Sequence, residues 1–176
     1  MSESQSPSTL PPSADPLAGN LQGADPRSRP TVSIEKFYVK DLSVEIPHAP
    51  QIFAEQIQPQ LEVQISTGAT RLNDTHFEVT ITATVTAKGG ERTVFLIEAV
   101  QAGIFLLANI APQDLEPVLA ISCPAILYPY LRETVSDIVG RAGFPPVLLT
   151  HMAFEALYLQ RLQHEQQQGA AAQPAR

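Results

Sequence analysis

The segment HFEVTITATVTA, residues 76–87, alternates apolar and polar side chains without a break. The apolar positions are Phe77, Val79, Ile81, Ala83 and Val85, and the polar positions between and beside them are Glu78, Thr80, Thr82, Thr84 and Thr86. Successive side chains of a β-strand point to opposite faces, so this period of two predicts a strand with one buried and one solvated face. Sheets that are wet on one face are typically antiparallel. The strand therefore needs antiparallel neighbours.

Three other segments have strand character, namely VSIEKFYVKDLSVEI (32–46), QLEVQIS (60–66) and ERTVFLIEAVQ (91–101). Asn73-Asp74 and Gly89-Gly90 lie between the last three strands. Both pairs accept the positive φ angles of tight turns, which predicts hairpin connections.

Helical patterns follow the strands, at about 113–122, 125–141 and 151–166. In SCPAILYPYLRETVSDIVGRAGFPPV (122–147), apolar residues recur at helical spacing. Pro124 suits the first turn of a helix, Pro129 is expected to bend it, and Pro145-Pro146 prevent its continuation. A block of strands followed by a block of helices is typical of α+β domains. We predict a four-stranded antiparallel sheet with helices packed on one face.

The two ends of the chain differ in composition from the middle. Residues 1–31 are rich in Pro, Ser and Gly and hold too few large apolar side chains to offset the entropy of ordering. Residues 164–176, rich in Gln and Ala, have the same shortage. We predict a disordered extension over 1–31, one domain over 32–163 and a flexible tail over 164–176.

The overall charge excludes some partners. A formal net charge of −7 and a pI near 5.0 argue against nucleic acid, which demands clustered Lys and Arg. No apolar run is long enough to span a membrane, so membrane insertion is not expected. A single cysteine, Cys123, cannot form an internal disulfide, which fits a reducing, cytoplasmic setting.

Catalytic signatures are missing from the sequence. The four histidines, at positions 48, 76, 151 and 164, match no zinc spacing, and Cys123 has no nearby histidine to activate it. There is no nucleophile elbow, phosphate loop or dinucleotide fingerprint. We expect neither an enzyme nor a bound metal or cofactor.

The polar positions of the alternating strands predict an acidic face of the sheet. Its members are Asp41, Glu45, Glu62, Glu78 and Glu98. Leu96 lies two residues before Glu98 and so on the same face, which places an apolar side chain among carboxylates. The pattern is common on a solvated face with one stray leucine, and it also fits a docking surface for a partner.

The chain also has more apolar surface than one sheet and three helices easily cover. Strand 91–101 is partly apolar on both faces, and QAGIFLLANIAP (101–112) continues as an apolar segment through a predicted loop. Either a homo-oligomer interface or a groove that binds extended polypeptide would use such a surface.

Several motifs resemble one family. KFYVKDLSVEIPHAP, QPQLEV, TVFLIEAVQAGIF, SCPAILYPYLRETVSDIVGRAGFPPV and MAFEALYLQRLQ look like segments of the bacterial export chaperone family SecB, in the same order. The resemblance runs from about residue 34 to 163. It implies an α+β tetramer, assembled as a dimer of dimers, that binds unfolded precursor polypeptides without ATP and delivers them to the translocase motor SecA.

The resemblance also assigns residues. It implies that SecA docks on the outer sheet through Asp41, Glu45, Leu96 and Glu98. It places clients in grooves lined by the second strand, a crossover loop and the last helix, which correspond to Leu61, Val63, Ile65, Ile104, Phe105, Leu157, Tyr158 and Leu162. It places the subunit interface at Phe95, Ile97 and Ala99, and the apolar helix stripe adds Leu131 and Val135. For the client residues, ordinary core or interface packing is an equal alternative.

Two alternatives remain open at this stage. One is a SecB-like chaperone that serves a toxin–antitoxin pair instead of export. The other is a hot-dog-like acyl thioesterase, which would need a carboxylate or histidine at the start of its central helix. The extension over 1–31 has no counterpart in the resemblance, and the QPAR terminus puts a tail contact with SecA in doubt.

Overall fold

The computed structural model describes residues 29–171. Four strands form one antiparallel sheet: β1 (Thr31–Glu45), β2 (Gln60–Arg71), β3 (His76–Gly89) and β4 (Arg92–Ala108). The helices follow as α1 (Pro112–Pro117), α2 (Cys123–Arg141) and α3 (Phe154–Ala171). The strand order is β1-β4-β3-β2. The predicted α+β architecture is confirmed for the single chain. Of the predicted disordered extension, residues 1–28 lie outside the described residues.

Strand β3 shows the physical basis of the sheet most clearly. Its odd-numbered residues from Phe77 to Ala87 are buried, and its even-numbered residues are half-buried. The hydrogen-bonded neighbours of β3 are β2 on one side and β4 on the other. We call the buried side, which faces α2, the inner face, and the opposite side the outer face.

The core lies between the inner face and α2, which packs on β3 and β4. Leu127, Leu131, Val135 and Val139 recur every fourth residue of α2, and all four are fully buried. The helix comes so close to β4 that a Cβ added to Gly103 would lie 2.8 Å from Leu127 Cδ2. Glycine at this position therefore lets α2 approach the sheet.

The helical part of the chain is more continuous than predicted. A π-helical turn over Val118–Ser122 joins α1 to α2, and the Cys123 N–H donates to the carbonyl of Val118, five residues back. Pro124 thus follows a helical turn and does not stand at a free helix start. Proline has no N–H to donate to the residue four positions back, and the wider π-turn tolerates this interruption of the helical hydrogen bonds.

Strand β4 is longer than its predicted span. The expectation of a loop from residue 101 is wrong, because β4 continues to Ala108; the next residue, Asn109, has a φ of 56°. Ile104 and Phe105 are therefore strand residues and do not belong to a crossover loop. Phe105 is fully buried on the inner face, so it has no surface for a client, while Ile104 is half-buried on the outer face. Most outer-face side chains of β4 are half-buried between the neighbouring strands β1 and β3, so apolar residues occur on both of its faces and hide its alternation.

Burial also corrects the predicted subunit interface. Phe95, Ile97, Ala99, Leu131 and Val135 are all buried within one chain, each at most 2% exposed. A side chain without accessible surface in the single chain has none left for a second subunit, so these five belong to the internal core. Exposed apolar side chains lie nearby instead, on β1 and α2: Phe37, Val39, Leu42, Ile126 and Tyr130.

The segment after α2 lies across the core before α3 begins. The Tyr128 hydroxyl donates to the carbonyl of Thr150, and the Tyr128 ring meets Phe154 edge-on with centroids 5.6 Å apart. Helix α3 then runs from Phe154 to Ala171 and so includes residues 164–171 of the predicted flexible tail, while residues 172–176 lie outside the described residues. Among residues 29–171, no helix is long and apolar enough to cross a membrane.

Candidate functional site

The outer face brings the predicted docking residues together. Glu45 pairs directly with Leu96 across β1 and β4, and in the next outward-facing row Ser43 pairs with Glu98. Asp41 occupies the row after that, opposite Val100. Side chains in directly opposed positions stand about 5 Å apart, and diagonal ones about 7–8 Å. Asp41, Glu45, Leu96 and Glu98 therefore form one continuous surface, which we call the acidic patch.

The acidic patch carries charge that no nearby cation balances. Asp41, Glu45 and Glu98 are exposed, and Leu96 is half-buried among them. Across residues 29–171, no Lys, Arg or His side chain forms an ion pair with any of these three carboxylates. The patch thus combines a local negative field with one apolar contact point.

The other two predicted acids differ in this respect. Glu62 pairs with Lys88, with 2.9 Å between Oε2 and Nζ, and Glu78 pairs with Lys40 at 2.6 Å. The Glu78 carboxylate also accepts a hydrogen bond from the Tyr38 hydroxyl. The Lys40 hydrogen bond, and then that of Tyr38, lower the pKa of Glu78. Unpaired charge on the outer face is therefore concentrated in the acidic patch.

An apolar cleft of about 380 Å³ opens at one end of the sheet, below the β1–β2 connection and the segment after α2. Its lining residues are Ile52, Phe53, Glu55, Ile57, Pro59, Leu61, Val94, Phe95, Gly143, Phe144, Pro145, Pro146 and Val147. Leu61 and Phe95 reach it from the inner face of the sheet. The cleft and the acidic patch thus use different faces.

Three aromatic rings build the wall of the cleft. Phe144 lies between the other two, with its centroid 5.3 Å from Phe53 and 4.8 Å from Phe95. Phe53 is 51% exposed, whereas Phe95 is buried. Gly143 has a φ of 89°, and a Cβ placed there would come within 3.2 Å of the Phe53 ring. The turn that ends α2 therefore depends on glycine both for its backbone and for this packing.

Charge at the rim of the cleft is internally paired. Arg92 donates two hydrogen bonds to Glu55, at 3.2 Å from Nη1 to Oε1 and 2.5 Å from Nη2 to Oε2. The Arg92 hydrogen bond lowers the pKa of Glu55, so this carboxylate stays charged and paired at neutral pH. The pair joins the β1–β2 connection to the start of β4.

The predicted client residues do not all converge on the cleft. Leu61 lines it, and Val63 and Ile65 continue along the inner face of β2, where Leu61 and Val63 are 47% and 44% exposed. The predicted residues of the last helix, Leu157, Tyr158 and Leu162, lie on α3, which packs on the π-helical turn. None of those three lines the cleft.

Sequence reasoning missed most of the apolar lining of the cleft, including Ile52, Phe53, Ile57 and Phe144. A signal existed for Ile52, Phe53 and Ile57, because PQIFAEQIQPQ (50–60) places these large apolar side chains in an otherwise polar connection. The predicted crossover loop lies after residue 101, so the prediction places no client residue in this connection. It is the β1–β2 connection that crosses, since these strands lie at opposite edges of the sheet.

Comparison with known proteins identifies the family. The family model described as "Preprotein translocase subunit SecB" matches residues 25–165. The chain belongs to the SecB family. Among curated members, the protein-export protein SecB of Chromobacterium violaceum is 54% identical over 143 residues, which cover 81% of this chain and 95% of that protein. That of Thiobacillus denitrificans is 56% identical over 146 residues, covering 82% and 95%.

A solved structure supports the fold of this SecB-family chain. A SecB-like chaperone of Mycobacterium tuberculosis, in complex with a peptide from an antitoxin, matches with a TM-score of 0.53. It is 22% identical, and the match covers 69% of this chain and 91% of that one. SecB proteins are protein-export chaperones and not enzymes, which resolves the thioesterase alternative.

Two further features of this SecB-family chain bear on chemistry. Within residues 29–171, no three His, Cys, Asp or Glu side chains come together as metal ligands. The single thiol, Cys123, is buried in the core, and desolvation raises its pKa to about 12. A thiol with that pKa is almost fully protonated at neutral pH and is a poor nucleophile.

Proposed function

We propose that this chain is an ATP-independent holdase that binds unfolded precursor polypeptides in apolar grooves, keeps them competent for translocation and delivers them to SecA in the cytoplasm. One observation carries the proposal: an exposed apolar cleft and an uncompensated acidic patch lie on different faces of one rigid sheet. A carrier must hold its client while its receiver docks, and two separated surfaces allow both contacts at once.

Client binding would rest on non-specific apolar contact. Covering apolar surface is worth about 25 cal/mol per Å², whatever the sequence of the client. The half-exposed Phe53 and Leu61 offer such surface at the cleft, and Val63 extends it along β2. Because β2 is an edge strand, its backbone is also available to an extended chain. A folded protein hides its apolar segments, so selection for unfolded clients needs no sequence motif.

SecA docking would use the acidic patch. Three unpaired carboxylates create a local negative field that speeds encounter with a basic surface, and Leu96 adds an apolar contact within it. Such docking should weaken as salt rises, because screening acts most strongly on exposed charges. Glu62 and Glu78, which are neutralised by lysines, would contribute little.

Assembly as a homotetramer, a dimer of dimers, would use the exposed apolar side chains of β1 and α2. Phe37 stacks on Tyr130 with ring centroids 4.3 Å apart, and both rings remain at least 40% exposed. Val39, Leu42 and Ile126 extend this surface. Several grooves on one tetramer could bind one long client, so avidity would compensate for weak single contacts.

The test is a two-part assay with matched variants. The purified protein should slow the refolding or aggregation of a denatured precursor without ATP, and Glu98→Lys should weaken SecA binding by about tenfold while leaving precursor binding intact. Glu62→Lys, an outer-face acid outside the acidic patch, is the control. Unchanged SecA affinity in Glu98→Lys at moderate salt would contradict the docking assignment. Failure to retain a precursor, together with capture of an antitoxin, would favour the toxin–antitoxin role.

A further inference from the structure

Strand β1 contains one residue more than its partner strand at Lys40. Val39 pairs with Gln101 and Asp41 pairs with the adjacent Val100, so the register leaves Lys40 without a partner in β4. This is a β-bulge, in which two residues of one strand oppose one of the next.

The bulge decides which face the acidic patch occupies. A second register shift lies earlier in β1, at Glu35, and between the two shifts the even-numbered Tyr38 faces outward, because it contacts Glu78 on the outer face. After the bulge at Lys40, odd-numbered residues face outward, including Asp41 and Glu45. If β1 kept a strict period of two through Lys40, both carboxylates would turn to the inner face, since a one-residue slip exchanges the faces of a strand.

Gln101 holds the bulge from inside. It is the one buried polar side chain in the core of residues 29–171. Its Nε2 donates to the carbonyl oxygen of Tyr38 at 2.9 Å, and its Oε1 accepts from the Thr134 hydroxyl of α2 at 3.5 Å. A buried amide is costly unless it is hydrogen-bonded, and here it satisfies a backbone carbonyl beside the bulge, where the ladder is interrupted.

Glu78 holds the same bulge from outside. Its two carboxylate oxygens accept from the Tyr38 hydroxyl, two residues before the extra residue, and from Nζ of Lys40, the extra residue itself. Glu78 lies on β3 and the two donors lie on β1, so both contacts span the strand between them, β4. This arrangement also draws the Lys40 ammonium toward Glu78 and leaves the neighbouring Asp41 unpaired.

We propose that the Lys40 bulge aims Asp41 and Glu45 outward, and that Gln101 and Glu78 are positioning residues that hold it. The geometric part concerns the orientation of β1 alone. Its consequence for SecA rests on the proposed function, so the two are tested by separate measurements.

The geometric test measures thiol labelling at single cysteines introduced as Ser43→Cys, on the outer face, and Val44→Cys, on the inner face. Buried Cys123 should remain silent. In the parent protein, position 43 should label much faster than position 44. Gln101→Met should reduce this ratio roughly tenfold, because an unsatisfied carbonyl destabilises the bulge.

Deletion of Lys40 provides the decisive background. When Lys40 is deleted, Asp41 follows Val39 directly, and ordinary alternation then places Asp41 outward without a bulge. The labelling ratio should therefore stay as in the parent, and Gln101→Met should no longer reduce it. An equal effect of Gln101→Met in both backgrounds would show an ordinary core role and overturn the proposal. Glu78→Gln, which leaves the core intact, should lower the labelling ratio about threefold in the parent protein. An unchanged ratio in Gln101→Met or in Glu78→Gln would refute the positioning role of that residue.

SecA binding is then measured on the same variants. A reduced labelling ratio with weakened SecA binding supports both the positioning role and the docking assignment. A reduced ratio with unchanged SecA binding supports the positioning role and contradicts the docking assignment.

Discussion

Replacing Phe53 with alanine is the sharpest test of the apolar cleft. A phenylalanine side chain buries about 150–250 Å² when fully covered, and Phe53 is 51% exposed, so roughly 100 Å² is open to a client. At about 25 cal/mol per Å², covering that area contributes up to about 2.5 kcal/mol. The alanine variant retains part of this contact, so we expect the Kd for an unfolded precursor to rise about ten- to thirtyfold.

The assay is a titration of a fluorescently labelled, denatured precursor without ATP. Leu148→Ala is the matched control, because Leu148 is apolar, 77% exposed and outside the lining of the cleft. A Phe53→Ala variant that binds as tightly as the parent would refute the assignment. Equal weakening by Leu148→Ala would show that general surface hydrophobicity, and not the cleft, binds the client.

Three other predictions concern the core, a titrating group and the thiol. Leu131→Ala should lower the free energy of unfolding by about 2–5 kcal/mol in a denaturant titration, whereas Tyr130→Ala should leave stability nearly unchanged and shift the mass seen by light scattering toward smaller species. Because the folded-state pKa of Glu78 is lowered, its contribution to stability is present above the unfolded pKa of about 4.3 and disappears as pH falls through the folded pKa. Glu78→Gln should therefore destabilise the fold at pH 7, by at most about 1 kcal/mol as for other exposed ion pairs, and should have no effect at low pH; a constant cost at every pH would contradict this. Cys123 should react with a thiol reagent only at the rate of unfolding, and rapid labelling of the native protein at pH 8 would disprove its burial.

The strands and their faces were largely predictable, for reasons that particular residues illustrate. Threonines and glutamate alternate with apolar residues along β3, so period and parity fixed which side chains are buried. The same parity placed Glu98 beside Leu96 on the outer face. It also placed Asp41 and Glu45 there, since the final part of β1 alternates cleanly after the bulge.

Other parts of the site could not be predicted by local pattern. The apolar run around Phe105 is compatible with either a loop or a strand. Only the pairing of Phe105 with Ile34 and Phe77 shows that it belongs to the core. The cleft gathers Phe53, Phe95 and Phe144 from distant parts of the chain, and no spacing in the sequence relates them.

The amino-acid sequence by itself determined the succession of strands and helices, the acidic character of one sheet face and the kinship to a chaperone family, because these depend on periodicity and on motifs read along the chain. Only the tertiary structure decided that the helix stripe is internal core, that lysines neutralise Glu62 and Glu78 but not the acidic patch, and that the cleft lies beneath the β1–β2 connection. The physical reason is that burial, charge pairing and concavity are set by neighbours distant in sequence, which a local pattern does not contain.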